Sequence, residues 1–300
     1  MTALGCTRPN LNFGDEMSRI VYVNGEYLPE NQAKVSVFDR GFLMADGVYE
    51  VTAVLDGKLL DFPGHLTRLA RSLSELQIDA PVDDDDLLHI HREMVRLNNL
   101  DEGMIYLQVT RGAADRDFAW PKQAKPTLVL FTQNKEIEET EQARTGIKVA
   151  TIADIRWARR DIKTVQLLAP SWCKMQAKAK GADDAWMVED GFITEGTSNN
   201  AWIISKDGQI ITRDLSNSIL HGITRAAVID YARAAGFAIV QRPFSVAEAQ
   251  NAAEAFITAS STFVCPVVQI DDVKIGSGRP GVTTLKLREL YIAQSRRGAT

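Results

Sequence analysis

Asx-Gly pairs at Asn24-Gly25, Asp56-Gly57, Asp190-Gly191 and Asp207-Gly208 set the first limit on what this chain can fold into. Such a pair accepts the positive φ values of a hairpin turn, so strands are expected on both sides. The flanking residues agree. Ile20 to Val23 precedes the first pair, and Val48 to Val54 with Lys58 to Leu60 encloses the second. Ala185 to Val188 and Phe192 to Thr194 enclose the third; Ala201 to Ser205 and Gln209 to Thr212 enclose Lys206-Asp207-Gly208. In the second hairpin, alternation puts Tyr49 and Val51 on one face and Glu50 on the other.

Helical spacing fills the intervals. Leu66, Leu69, Leu73 and Leu76 follow Pro63-Gly64 and predict a helix. A second helix is expected over about Asp84 to Leu97, where Asp83 to Asp86 form an acidic helix start and not a metal site. Leu167, Leu168, Met175 and the alanines give another helix its apolar face, ending at Gly181. Gly222-Ile223-Thr224 opens a helix that runs through Ala235 to a cap at Gly236, and Thr283 to Ser295 is amphipathic. Further strands are expected at Met104 to Thr110, Thr127 to Thr132, Ile147 to Ile152, and from Phe256 into the small residues Ala259 to Thr262. Mixed strands, hairpins and helices are compatible with an α/β (α+β) chain. Lys135 to Thr145 is charged and lacks apolar periodicity, so we expect domains at 18–135 and 145–298 with 136–144 as linker. Residues 1–17 have no periodicity and no secretory apolar core; they read as a loose extension, with Met17 an alternative start.

Composition removes several function classes. A 45% apolar and 24% charged chain is ordinary for a globular protein, and a net charge of −5 argues against nucleic-acid binding. No run approaches the roughly 18 to 20 apolar residues that span a bilayer. Cys6, Cys173 and Cys265 are scattered without a CxxC, as expected of reduced cytoplasmic thiols and not of a disulfide framework or zinc site. His89 and His91 are expected on a solvated helix face.

The chemistry concentrates between Asp161 and Asn200. Lys163 sits between Ile162 and the run Val165 to Leu168. A lysine on a buried face must pair or lose its proton, and a neutral lysine is a Schiff-base nucleophile. Glu195, beyond the third hairpin, suits either a partner for that lysine or a partner for a ring nitrogen; the residues alone leave both open. Gly222-Ile223-Thr224 has the form of an anion site at a helix N-terminus. Arg68 and Arg71 read as helix charges.

The segment DIKTVQLL at Asp161 to Leu168, followed by GFITEGTSNNAWII at Gly191 to Ile204, resembles the class IV, or fold-type IV, pyridoxal-phosphate aminotransferases. The likeness runs from about Ser18 to about Leu290. It implies two α/β domains with the cofactor, pyridoxal 5'-phosphate, at their interface. It also implies that Lys163 carries the cofactor and is the catalytic base, while Glu195 holds the pyridinium nitrogen. By the same resemblance Arg68, in His65-Leu66-Thr67-Arg68-Leu69, binds phosphate together with the amides of Ile223 and Thr224. Ser260 stands in the family's small-residue phosphate loop, Ser198 in the loop after Glu195, and Leu220 packs on the ring.

Within that family, Tyr49-Glu50-Val51 and Tyr106 to Arg111 are similar to the D-amino-acid aminotransferase pattern. The R-selective amine transaminases commonly carry a glutamate in the second of these strands, which is not found here. The D-selective enzymes hold the substrate carboxylate with an Arg-x-His loop reaching across a dimer interface. Here the loop reads Arg116-Asp117-Phe118, and a phenyl ring cannot donate the histidine's hydrogen bond. The resemblance thus implies a homodimer moving an amino group from a D-amino acid to a 2-oxo acid, with Tyr49, Val51, Tyr106, Arg116 and Phe118 at the substrate. Branched-chain L-amino acids, R-amines or an aminodeoxychorismate-lyase reaction are the alternatives. A non-catalytic cofactor-binding protein would have no use for Lys163.

Overall fold

The computed structural model describes residues 18–300; the expected extension over 1–17, with Cys6 and Met17, lies outside the described residues. The first half runs β1 (Ile20–Val23), β2 (Glu26–Pro29), α1 (Arg40–Met44), β3 (Gly47–Leu55) and β4 (Lys58–Leu59). It continues through α2 (Phe62–Glu75), α3 (Asp84–Leu97), β5 (Gly103–Thr110) and β6 (Thr127–Asn134). Its strands form an antiparallel six-stranded sheet in the order β2-β1-β6-β5-β3-β4.

The second half contains α4 (Glu141–Thr145), β7 (Ile147–Ala153), α5 (Leu168–Ala179), β8 (Asp184–Glu189), β9 (Phe192–Gly196) and β10 (Asn200–Ile204). Then come β11 (Ile210–Thr212), α6 (Ile223–Ala234), β12 (Ile239–Gln241), α7 (Val246–Gln250), β13 (Glu254–Ala259), β14 (Phe263–Ile270), β15 (Val273–Lys274) and α8 (Val282–Arg297). These strands make a nine-stranded sheet, β12-β11-β10-β13-β14-β7-β8-β9, with β15 paired to β14. Here β7 runs parallel to both β8 and β14.

Local chemistry accounts for most of these elements. Asn24-Gly25, Asp56-Gly57 and Asp190-Gly191 take positive φ at both residues, as a two-residue hairpin turn requires. The fourth hairpin is a three-residue loop in which only Gly208 has positive φ, at 86°. Asp83 caps α3 by accepting from the Asp86 amide at 2.8 Å, and its three following aspartates stabilise the positive end of the helix.

Two expectations about helix faces are corrected. His91 is buried; its Nδ1 donates to the Leu87 carbonyl at 2.7 Å, and its ring meets Phe62 at 4.8 Å. His89 and His91 are two residues apart, which places them on opposite sides of a helix; His91 shares the face of Leu87 and Met94. On α5 the buried residues are Pro170, Cys173 and Ala177. Leu168 and Met175 are 84% and 61% exposed, so of the face read from the sequence Ala177 is buried while the long apolar side chains point away from the core of this chain.

A core of Phe62, Leu69, Leu73, Ile90, Met94 and Ile105 fills the space between the first sheet and α2 and α3. A second core joins the halves: Ala53, Leu55 and Leu60 pack with Trp202, Phe256, Phe263, Leu287 and Tyr291. The charged span read as linker is pinned to α8. Arg288 donates to the carbonyls of Ile137 and Glu138 at 3.0 and 2.6 Å and to those of Thr262 and Val264 at 2.7 Å.

Candidate active site

A cavity of about 950 Å³ opens between the two halves, lined by β3, β5, the 155–170 segment, the 195–200 turn, the start of α6 and the end of β13. Lys163, Arg68, Glu195, Ser198, Leu220, Ile223, Thr224 and Ser260 all line it, as do Tyr49, Val51 and Tyr106. Residues spread over the sequence from 49 to 260 thus meet in one place.

Lys163 is held by its own backbone. The Tyr49 amide donates to the Lys163 carbonyl at 3.0 Å and the Val165 amide to the Gly47 carbonyl at 3.1 Å, extending the sheet at the start of β3. This fixes the root of a half-buried side chain whose Nζ lies 4.1 Å from the Tyr49 ring centroid. Tyr49 stacks on Tyr106 at 5.5 Å and Tyr106 on Phe131 at 4.8 Å, a row of rings from three adjacent strands. Met104 and Gln133 continue the same wall.

Glu195 ends β9 and is 3% exposed. Oε1 accepts from Arg156 Nη1 at 2.6 Å and Oε2 from Asn200 Nδ2 at 2.9 Å; the Leu220 amide donates to both at 3.1 Å. Burial pushes this carboxyl up, and the Arg156 guanidinium is the main opposing influence. Thr197 and Asn199 bond to Asp184, which fixes the turn that carries Ser198.

The other end of the cavity is an anion cradle. Helix α6 follows Gly222 with no side-chain cap, so the first amides of the helix stand uncapped at the cavity. A Cβ on Gly222 would fall 2.0 Å from Asn200 Oδ1, so a larger residue would push the Asn200 amide from its bonds to Glu195 and the Leu220 carbonyl. Arg68 reaches the site from α2. Its Nε and Nη2 donate to Glu50 at 2.8 and 2.6 Å, and Nη1 donates to the His221 carbonyl at 3.0 Å. That side-on pairing leaves one N–H on each terminal nitrogen, an end-on fork suited to phosphate. Glu50 also accepts from His65 at 2.7 Å; burial opposes its ionisation, yet Arg68 and His65 hold it down to about 2.

Arg116 and Phe118 do not line the cavity. Both are exposed, with the guanidinium 5.5 Å from the phenyl centroid. Their loop is firmly rooted: Arg111 and Arg40 share Asp46, Arg40 also donates to the Asp117 carbonyl at 2.7 Å, and Arg111 covers Trp120. Sequence reasoning missed Glu50 as the anchor of Arg68 and missed Asn200 and Arg156 as partners of Glu195. Alternation did put Glu50 opposite Tyr49, but nothing in the sequence pairs it with an arginine on the next helix.

An uncapped helix start and the free N–H groups of Arg68 suit a phosphate group; a buried carboxylate and a lysine suit a pyridine ring bearing an aldehyde. The residues therefore fit pyridoxal phosphate. Residues 47–270 match the family model described as amino-transferase class IV, and the chain belongs to that family of pyridoxal-phosphate enzymes. Among curated relatives it is 37% identical over 270 residues to a D-alanine aminotransferase of Staphylococcus haemolyticus, covering 90% of this chain and 95% of the relative. A D-alanine aminotransferase of Bacillus licheniformis is 36% identical, with 88% and 93% covered. Among solved structures, a T.th. branched-chain amino acid aminotransferase with pyridoxamine 5'-phosphate superposes with a TM-score of 0.87 at 25% identity, covering 93% and 94%. The Escherichia coli branched-chain enzyme gives 0.87 at 22% identity, covering 92% and 94%, which speaks for the fold alone.

Proposed function

We propose that this chain is a transaminase moving an amino group from a D-amino acid to a 2-oxo acid, with pyridoxal phosphate held by Lys163, Glu195, Arg68 and the start of α6. The convergence of Lys163, Glu195 and the anion cradle on one cavity carries the reading, and the D-alanine aminotransferase relatives favour D-amino acids. The cofactor supplies an electron sink for charge developing at the substrate Cα. Lys163 Nζ takes the Cα proton and returns it on the other side of the transfer. Glu195 would hold the ring nitrogen and Leu220 would pack on the ring, with Ser198 and Ser260 in the polar lining of the same cavity. Tyr49, Val51 and Tyr106 form the substrate wall.

The substrate carboxylate falls to Arg116 acting from a second subunit, because in its own chain that side chain faces outward. The same arrangement gives a role to the exposed apolar residues that line the cavity, Ile155, Trp157, Leu168 and Trp172, as a surface for a second copy. A two-domain division at 136–144 belongs to this reading. No helix among the described residues is long and apolar enough to cross a membrane, and the buried free thiols of Cys173 and Cys265 suit a cytoplasmic enzyme. Half-reaction spectra with D-alanine, L-leucine, an R-amine and aminodeoxychorismate test the proposal. Conversion with D-alanine is expected; conversion with L-leucine alone would transfer the enzyme to the branched-chain class.

A further inference from the structure

This inference rests on Glu195 as the partner of the cofactor's ring nitrogen and extends that reading to the groups behind it. Among the donors to Glu195, Asn200 and the Leu220 amide are neutral; Arg156 brings charge. A carboxyl this deeply buried takes up a proton unless a cation faces it. Arg156 is itself fixed from the far side. Asp154 Oδ1 accepts from its Nε at 3.0 Å and Oδ2 from its Nη2 at 2.7 Å, a planar fork. The Asp154 carboxylate is buried, accepts from the Thr194 hydroxyl at 2.7 Å, and lies 3.5 Å from Arg160, which is paired in turn with Glu189. Arg225 on α6 donates instead to the Arg213 carbonyl and to Gln241, and Lys163 lines the same cavity as Glu195.

We propose that Arg156, clamped by Asp154, is a positioning residue that keeps Glu195 ionised and aimed into the cavity, and thereby sets the protonation of the cofactor's ring nitrogen. The row of carboxylate, guanidinium and carboxylate carries one net negative charge and ends on a Glu195 oxygen. A protonated ring nitrogen neutralises that charge. Without the guanidinium the proton moves from nitrogen to the Glu195 carboxyl, which then donates to a neutral ring. The number of protons is unchanged; their place is not.

The test is nuclear magnetic resonance of the holoenzyme loaded with cofactor isotopically labelled at the ring nitrogen, which reports protonation independently of turnover. Wild type and Arg156→Lys, which keeps the charge, should give a pyridinium resonance. Arg156→Met should lose it in favour of a neutral pyridine resonance, as should Glu195→Gln. Arg156→Gln makes the same comparison where the methionine variant does not fold. A pyridinium resonance that survives in the Met and Gln variants but is lost in Glu195→Gln overturns the role of Arg156 and leaves Glu195 standing. A pyridinium resonance that survives in Glu195→Gln overturns the reading of Glu195 and this proposal with it.

Discussion

Glu50→Gln is the most informative single change outside the chemistry, because Glu50 touches no substrate and yet decides where Arg68 points. Its carboxylate accepts three hydrogen bonds, two from Arg68 and one from His65. An amide has one accepting oxygen and both oxygens of Glu50 accept from Arg68, so the NH₂ must confront an Arg68 N–H whichever way it is turned. Two routes give the cost. A fall of the Glu50 pKa from 4.5 to about 2 corresponds, at about 1.4 kcal/mol for each tenfold change in ionisation, to roughly 3 kcal/mol. Removing one partner of a buried ion pair costs about 3–5 kcal/mol, and Arg68 and Glu50 are only 7% and 3% exposed. The pKa is depressed on folding, so this stability is present above pH 4.5 and lost as pH falls toward 2. Urea unfolding of the cofactor-free protein at pH 7 should therefore show a loss of about 3 kcal/mol in the variant. The acid sensitivity of the wild type between pH 4.5 and 2 should also be reduced. Cofactor should recover part of the loss, since phosphate gives Arg68 a second counter-charge. A loss below about 1 kcal/mol, the scale of a surface ion pair, would refute the idea that Glu50 anchors Arg68.

The other expectations are simpler. Burial lowers the pKa of His91 from 6.5 to about 4, so the folded state resists a proton that the unfolded chain accepts. Stability should drop by about 3 kcal/mol as pH falls through that window. Urea midpoints of His91→Leu should be flatter there, and an unchanged slope would contradict the buried neutral ring. Lys163→Ala should abolish nearly all transamination, and borohydride reduction of wild type should mark Lys163 on peptide mapping; a mark on Lys174, Lys178 or Lys180 would overturn the assignment. Phe118→His should tighten D-alanine by about 1.5–3 kcal/mol, the worth of a hydrogen bond to a charged group. Arg116→Ala should weaken D-alanine while sparing R-1-phenylethylamine in half-reaction titrations; an unaffected D-alanine would place carboxylate recognition elsewhere.

Legibility followed the range of the interactions. Turns, caps and strand alternation are local, so the hairpins at Asn24-Gly25 and Asp56-Gly57, the acidic start of α3 and the opposed faces of Tyr49 and Glu50 could be read from neighbouring residues. The motif around Lys163 and Glu195 was legible through resemblance, because its segments are long and specific. What escaped was pairing at a distance. Nothing near Arg156 in the chain announces Glu195, and nothing near Glu50 announces Arg68. The two helix-face errors share another cause. Hydrophobicity says that a surface is covered, not by what: Leu168 and Met175 are apolar and face outward, whereas polar His91 is buried because its spacing matches Leu87 and Met94.

Strand β3 supplies both ends of the site from adjacent residues. Tyr49 and Val51 face the cavity, where the proposed function puts the substrate, while Glu50 between them accepts two hydrogen bonds from Arg68 on α2. Since side chains alternate strictly along a strand, the two duties interleave without sharing a position. Under the proposed function, positions 49 and 51 can therefore change with the shape of the amino donor while Glu50 keeps its hold on Arg68. On that reading, a change of donor preference at these two positions leaves the hydrogen bonds between Glu50 and Arg68 in place.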